Sequence, residues 1–251
     1  MEKYYSINKN GYSVRCKLYC GKPADVKRVV VFVHGFAGHK DNKSAQKFAD
    51  KLTKRFSDSA LVIFDLPCHG DDARSRLTLP DCTAYIGLVA EDARTRFRTD
   101  ELYACATSFG GYLALLYISE NENLFRKIAL RCPAVEMYGV LMGQLIAHND
   151  LPMIEKGKPV MVGFDRKVRL HPSFMTELKE TDILNRDYTA FADKLLIVQG
   201  TKDEIVRPDS VIGFAERNGI SLKLVENADH RFTDPQKHDL AYETMIDFYG
   251  F

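Results

Sequence analysis

Residues 102–117 read LYACATSFGGYLALLY and contain the most informative pattern in the chain. The first six residues form a short apolar run typical of a buried strand, and the run from Phe109 onward is typical of an apolar helix. Ser108 lies at the junction, with Ala106 two residues before it and Gly110 two residues after it. An abrupt turn from strand to helix needs small residues at these two positions, because the two backbones nearly touch there. The stretch therefore predicts a strand, a tight turn at Ser108 and a helix.

A serine held in such a turn would be exposed at the carboxyl end of a sheet. The backbone N–H that follows it would begin a helix, where negative charge is stabilised. This arrangement is a nucleophile elbow, written here as A-x-S-x-G. A serine that merely caps a buried helix would produce the same local pattern. The elbow interpretation therefore depends on partners elsewhere in the chain.

The composition is that of an ordinary globular protein. Of 251 residues, 45% are hydrophobic and 27% are charged, enough for one α/β domain with an insertion or for two small domains. The formal net charge of +1 gives no electrostatic reason to expect nucleic acid or an anionic membrane as a partner. The polar N-terminus does not resemble a signal peptide, and no apolar run approaches the roughly 18 residues of a membrane span. We therefore expect a cytoplasmic protein.

The cysteines are dispersed along the chain, which favours reduced thiols over a disulfide framework. They are Cys16, Cys20, Cys68, Cys82, Cys105 and Cys132. Two of them are four residues apart, but no second Cys or His pair completes a zinc set. The sequence therefore predicts no metal site and no cofactor.

Strand and helix patterns alternate through most of the chain. An Asn-Gly turn at residues 10–11 predicts a hairpin over residues 4–19. Apolar runs predict buried strands at 28–33, 61–64, 102–107, 127–131, 195–199 and 221–225, and helical patterns occupy 44–55, 82–97, 209–217 and 235–249. Repeated β-α-β units predict a mostly parallel sheet with helices on both faces, and sites in such sheets lie at the carboxyl ends of the strands.

The alternation is interrupted between residues 133 and 190. This segment is rich in Met, Gly and Pro and contains a hairpin pattern at 159–170. We therefore expect a core formed by residues 1–132 and 191–251, with residues 133–190 as an insertion.

An exposed serine needs a general base, and the base needs an acid to orient it. Asp203 follows the strand at 195–199, and His230 follows the strand that ends at Val225, so both should lie at the same sheet edge as Ser108. Asp203 could instead cap a turn, and His230 could be a solvated loop residue. Asp229 and Asp234 are alternative acids, but neither follows a strand end at the right distance. The order Ser, Asp, His favours the triad interpretation.

Acyl transfer also needs donors for a developing oxyanion. The backbone N–H of Phe109 is one candidate, because it follows the serine. The N–H of Phe36 is the other, since it follows a buried strand and Gly35 permits a close backbone approach. An ordinary glycine turn is the alternative explanation of Gly35.

With these motifs together, the chain resembles the α/β-hydrolase family over nearly its whole length, and most of all small bacterial carboxylesterases of the cinnamoyl/feruloyl esterase type. The matching motifs are His34-Gly-Phe, Asp65-x-x-x-His69-Gly70, Ser108-Phe-Gly-Gly, Gly200-Thr-Lys-Asp203 and Ala228-Asp-His230. The resemblance implies an eight-stranded sheet and a lid over the acyl pocket. It also implies that His69 packs near the site without transferring protons. Phe109 stands where feruloyl esterases often carry Gln, which makes the pocket floor more apolar.

The resulting hypothesis is a serine carboxylesterase for small or aromatic, cinnamoyl- or feruloyl-like, acyl esters. Its expected partner is a small-molecule ester, with neither nucleic acid nor membrane, and a homodimer is compatible with the sequence. Candidates for the acyl pocket are Met137, Tyr138, Met142 and Phe164, although simple core packing is the better explanation for any one of them. A peptidase or amidase acting on short substrates would use the same triad. A non-catalytic binding protein on the same fold should lack a triad member, and none is missing.

Overall fold

The computed structural model describes residues 1–163 and 166–251. Its strands are β1 (Glu2–Lys9), β2 (Tyr12–Cys20), β3 (Arg28–Val33), β4 (Ser59–Phe64), β5 (Leu102–Thr107), β6 (Lys127–Arg131), β7 (Val160–Val162), β8 (Val168–Leu170), β9 (Leu195–Gly200) and β10 (Ser221–Val225). Its helices are α1 (Lys43–Arg55), α2 (Leu79–Phe97), α3 (Phe109–Glu120), α4 (Met137–Val140), α5 (Leu151–Glu155), α6 (Pro172–Glu180), α7 (Pro208–Asn218) and α8 (Pro235–Tyr249).

Eight strands form one sheet in the order β1-β2-β4-β3-β5-β6-β9-β10. The first two form the predicted hairpin, in which Asn10 and Gly11 both have positive φ, as a tight turn between twisted strands requires. β2 also pairs antiparallel with β4, and the remaining pairs are parallel. The predicted α/β-hydrolase fold with a mostly parallel eight-stranded sheet is confirmed.

The central strands are buried on both faces, which explains their continuous apolar sequences. Alternate residues of β3 separate into two core layers, because successive side chains in a strand point in opposite directions. Val29 and Val31 belong to the first core layer, with α2, α3 and α7, whereas Val30 and Phe32 belong to the second, with α1 and α8. The carboxyl ends of the parallel strands therefore meet at one edge between these layers.

The segment from 133 to 190 leaves the sheet after β6 and returns at β9. After α4 it continues as a π-helical turn at Leu141–Leu145, and β7 and β8 form the predicted antiparallel hairpin. Its buried apolar side chains belong to the first core layer rather than to a separate core; they include Met137, Leu141, Phe174 and Leu178. Within residues 1–163 and 166–251, no helix has the length and apolar character needed to cross a bilayer.

Candidate active site

The predicted strand, turn and helix are all present around Ser108. β5 ends at Thr107, α3 begins at Phe109, and Ser108 between them has φ 54° and ψ −119°. This left-handed conformation is strained for a residue with a side chain. A Cβ added at Gly110 would overlap the carbonyl oxygen of Val33 and lie 2.6 Å from that of His34. The helix can therefore approach β3 only because residue 110 is glycine.

Ser108, His230 and Asp203 form a continuous hydrogen-bonded chain. Ser108 Oγ lies 3.0 Å from Nε2 of His230, and Nδ1 of the same ring lies 2.8 Å from Oδ2 and 3.0 Å from Oδ1 of Asp203. A carboxylate accepts hydrogen bonds, so Nδ1 must carry the proton and Nε2 is left to accept from the serine hydroxyl. This tautomer is the one that a general base for Ser108 requires.

The two alternative acids are engaged elsewhere. Asp229 accepts hydrogen bonds from the backbone N–H of Thr233 at 2.8 Å and from its hydroxyl at 2.7 Å. Asp234 caps the N-terminus of α8. Asp203 is thus the carboxylate that the fold brings to the imidazole ring of His230, whereas Glu204 accepts from the backbone N–H of His230 at 3.2 Å.

Asp203 is buried and receives several donors besides His230. Gln199 Nε2 donates to Oδ2 at 3.0 Å, and the N–H groups of Ile205 and Val206 donate to Oδ1 at 3.0 and 2.8 Å. Burial acts to raise the pKa of Asp203, but the interactions with His230 and with the Val206 N–H outweigh it and hold the pKa below its ordinary value. Gln199 was not a predicted site residue. Its only sequence signal was a polar side chain at the end of an otherwise apolar strand.

The loop after β3 lies directly against the nucleophile. A Cβ added at Gly35 would be 3.2 Å from Cβ of Ser108. The backbone N–H groups of Phe36 and Phe109 have no acceptor among the described residues. Both therefore remain able to donate to a substrate oxygen, as an oxyanion hole requires.

His34 anchors this loop in a neutral form. Its Nδ1–H donates to the Gly35 carbonyl at 2.8 Å, and its Nε2 accepts from the N–H of Leu66 at 3.2 Å. Burial, reinforced by the neighbouring His69, lowers the pKa of His34 to about 3. A protonated ring would lose the hydrogen bond from Leu66, so the loop geometry and the neutral tautomer depend on each other.

His69 packs beneath the same loop. Its ring centroid lies 5.4 Å from that of His34 and 5.5 Å from that of Phe36. Nδ1 donates to the carbonyl of Pro67 at 2.8 Å, and burial lowers the pKa of His69 to about 4. These contacts place His69 in support of the loop and outside the chain of triad hydrogen bonds.

A cavity of about 380 Å³ opens beside Ser108. Its wall includes Gly35, Phe36, Ala37, Gly38, His39, Asn42, Ser44, Thr107, Ser108, Arg131, Leu145, Arg166, Ile205, His230 and Arg231. Three arginines and no described carboxylate contribute to it. The inserted segment supplies Leu145 and Arg166.

The residues predicted for an apolar acyl pocket are placed differently. Met137 is buried in the first core layer, while Tyr138 and Met142 are partly buried against that layer. None of these three belongs to the described wall of the cavity, because α4 and the π-helical turn pack these side chains against the core. Phe164 lies outside the described residues.

Within residues 1–163 and 166–251, one group of side chains has the spacing of a metal site. Ligand atoms of Cys132, Asp203 and His230 all lie within 4.8 Å of one another. The side chains of His230 and Asp203 already hydrogen-bond to each other. The geometry is therefore that of a hydrogen-bonded acid and base, and the absence of a metal stays a prediction.

Comparisons with known proteins agree with this fold. A family model described as serine aminopeptidase, S33, matches residues 24–156. Est1E from Butyrivibrio proteoclasticus, solved with bound ferulic acid, is similar at a TM-score of 0.78 and 18% identity over 97% of each chain. A putative hydrolase from Agrobacterium vitis S4 is similar at a TM-score of 0.74 and 16% identity over 99% of each chain. Alpha/beta hydrolase domain-containing protein 10 from mouse is similar at a TM-score of 0.73 and 16% identity, and the match covers 99% of this chain and 98% of the mouse chain.

No curated protein matches the sequence. At such low identities, the solved structures establish the fold, whereas the family model spans more than half of the chain. The chain therefore belongs to the serine aminopeptidase S33 family of α/β-hydrolases, and its fold is close to that of Est1E.

Proposed function

We propose that the protein is a serine carboxylesterase. The observation that carries this proposal is the unbroken hydrogen-bond chain from Ser108 through His230 to Asp203, at 3.0 and 2.8 Å. Ser108 Oγ attacks the ester carbonyl carbon while Nε2 of His230 takes its proton. The ionised Asp203 holds the ring in the required tautomer and stabilises the imidazolium that forms.

The remaining steps use the same groups. The backbone N–H groups of Phe36 and Phe109 stabilise the tetrahedral oxyanion, each contributing on the order of 3 kcal/mol. When the C–O bond to the alcohol breaks, His230 returns its proton to the leaving oxygen and an acyl-enzyme remains. A water molecule then attacks the acyl carbon, with His230 as its base, and releases the acid and free Ser108.

We further propose that residues 133–190 act as a lid that selects the acyl group. Leu145 and Arg166 of this segment belong to the cavity wall. Phe36, also in the wall, adds an aromatic surface beside the nucleophile. Ferulic acid bound to Est1E is an aromatic acid held on a similar fold, which supports small or aromatic acyl esters as the substrate class.

A peptidase or amidase is the second candidate, because the matching family is described as serine aminopeptidase. An aminopeptidase substrate carries a positive charge on its free amino terminus and needs a negative partner close to the scissile bond. The cavity wall instead contains Arg131 and Arg166 and no described carboxylate. This charge distribution favours ester substrates without a free amine.

Two measurements test the proposal. Labelling by a fluorophosphonate probe should occur in the native chain and in Ser13→Ala, a control on the exposed β1–β2 hairpin, and should be lost in Ser108→Ala. Turnover of 4-nitrophenyl acetate should exceed that of the matched 4-nitroanilide by orders of magnitude. Comparable turnover of the anilide would favour an amidase, and a native chain without labelling or turnover would favour a binding protein.

A further inference from the structure

Arg131 is the last residue of β6 and is joined to the nucleophile through the sheet. The Arg131 carbonyl accepts a hydrogen bond of 3.0 Å from the N–H of Ser108. In the sheet, Arg131 pairs in register with Thr107 of β5. Arg131 is only 8% exposed and is one of the residues that line the cavity containing Ser108. The cavity therefore has a nucleophile on one wall and a buried cation on another.

The guanidinium of Arg131 has no anionic partner among residues 1–163 and 166–251. Its Nη1 donates to the hydroxyls of Ser44 at 3.5 Å and Tyr242 at 3.4 Å, which are both long hydrogen bonds, and its buried Nε has no partner. A buried arginine is normally paired with a carboxylate, because desolvating an uncompensated charge is costly. The protein holds this cation in place without neutralising it.

The groups around Arg131 are neutral. Ser44 shares hydrogen bonds with Tyr242 and with Nε2 of His238. Burial raises the pKa of Tyr242, and burial together with the charge of Arg131 lowers the pKa of His238 to about 4. Near neutral pH, neither side chain supplies the missing negative charge.

The rest of the wall increases the positive character of the cavity. Arg166 also lines it, and Asn42 and Ser44 place the N-terminus of α1 there, with no acidic residue in the first turn of that helix. The whole chain has a formal net charge of only +1, so this concentration of positive charge is local.

We infer that Arg131, with the hydroxyl of Ser44, binds a carboxylate of the substrate, so that the preferred ester carries a negative charge away from its scissile bond. This inference rests on the proposed esterase function and names its substrate class. A guanidinium pairs bidentately with a carboxylate, and the Ser44 hydroxyl, which also lines the cavity, is an additional donor. A monoanion matches one unpaired buried cation, which favours a carboxylate over a doubly charged phosphate.

The test compares esters that differ only in charge. On the acyl side, mono(4-nitrophenyl) glutarate is compared with 4-nitrophenyl 5-methylhexanoate, whose branched end has the shape of the carboxylate. On the alcohol side, 3-carboxyphenyl acetate is compared with 3-carbamoylphenyl acetate. After correction for spontaneous hydrolysis, kcat/KM should favour the charged member of at least one pair by about tenfold or more. Equal kcat/KM in both pairs would overturn the inference while leaving the esterase proposal intact.

Variants at Arg131 assign the preference to this side chain. Arg131→Met should abolish the preference, since the charged contact with the substrate carboxylate is lost. Arg131→Lys should retain part of the preference, and Arg94→Met, an exposed control, should retain all of it. Because Arg131→Met removes an uncompensated buried charge, its Tm should not fall. If Arg131→Met does not fold, Arg131→Lys serves as the test. A smaller preference for the charged ester in Arg131→Lys would support the inference, and an unchanged preference would overturn it.

A binding measurement separates this inference from the esterase proposal. Titration calorimetry with monomethyl glutarate and with 3-carboxyphenyl acetate should show binding of at least one of them to the native chain and to Ser108→Ala but not to the Arg131 variant used above. Binding in a protein that hydrolyses no ester would refute the esterase proposal and support the subsite. Absence of binding, or inorganic phosphate binding more tightly than the carboxylate, would refute the subsite.

Discussion

Gly110 of α3 packs directly against the carbonyl oxygen of Val33 at the end of β3, so the elbow helix and the neighbouring strand touch through their backbones. This contact fixes where α3 begins. It therefore also fixes the direction of the Phe109 N–H and the conformation of Ser108.

Gly110→Ala should destabilise the protein by about 2 kcal/mol or more, because the added Cβ would meet backbone atoms that cannot move aside. Gly213→Ala in α7 is the matched control: its Cβ would have no described atom within 4 Å, and alanine favours a helix by roughly 0.5–1 kcal/mol. Urea unfolding of both variants measures the difference. Equal stabilities would mean that the elbow backbone can shift away from β3.

Asp203→Asn should lower kcat by about 10⁴-fold, because an amide that donates toward His230 favours the wrong ring tautomer. The fold should persist, since the asparagine oxygen can still accept from the N–H groups of Ile205 and Val206. Asp229→Asn is the control at the alternative acid and should change kcat by less than about threefold. A large loss of kcat in Asp229→Asn together with a small loss in Asp203→Asn would identify Asp229 as the acid that orients His230.

The stability of the protein should fall as the pH drops below about 6.5, the ordinary pKa of histidine. The folded-state pKa values of His34 and His69 are lowered to about 3 and about 4, so the unfolded chain binds protons first. The free energy of unfolding should fall by about 1.4 kcal/mol for each ring between pH 7.5 and 5.5.

Urea unfolding of His69→Gln at both pH values isolates one of these rings. In this variant, the decrease in unfolding free energy between pH 7.5 and 5.5 should be about 1.4 kcal/mol smaller than in the native chain. His148→Gln, at an exposed position, should show the same decrease as the native chain. An undiminished loss in His69→Gln would show that His69 does not contribute to the pH dependence.

Leu145→Ala should change the ranking among neutral acyl groups by about 1–3 kcal/mol, because Leu145 is the apolar side chain that the π-helical turn contributes to the cavity wall. Hydrolysis of 4-nitrophenyl acetate should be nearly unaffected, since its acyl group is too short to reach far from Ser108. Met153→Ala, at an exposed position of the same segment, is the control. Steady-state kcat/KM over straight-chain 4-nitrophenyl esters measures the ranking, and an identical ranking would place the acyl pocket away from Leu145.

The sequence predicted the elements around Ser108 well because each depends on local rules. Small residues flank the turn, apolar runs mark the buried strands, and Asp203 and His230 each follow a strand end. Met137 and Met142, which were candidates for the acyl pocket, lie outside the described wall of the cavity beside Ser108. A short, irregular helical segment has too little periodicity to show which side faces the core.

Arg131 was missed for a different reason. In the sequence it is only the last residue of the strand KIALR, and a charged residue at a strand end is usually exposed. Its importance lies in the absence of a described acidic partner, and this depends on which side chains α1 and α8 bring to it. A charged residue within a run otherwise predicted to be buried was the available signal.

The ring of Phe109 connects the proposed oxyanion donors to the inserted segment. Its centroid lies 5.8 Å from that of Phe36 and 6.2 Å from that of Phe174 in α6. A substitution that repacks Phe174 would therefore displace the residues whose backbones are proposed to stabilise the transition state. Substrate range and turnover rate are consequently coupled traits in this protein: mutations that broaden the range by remodelling α6 should tend to lower kcat, even on substrates that fit both forms equally well.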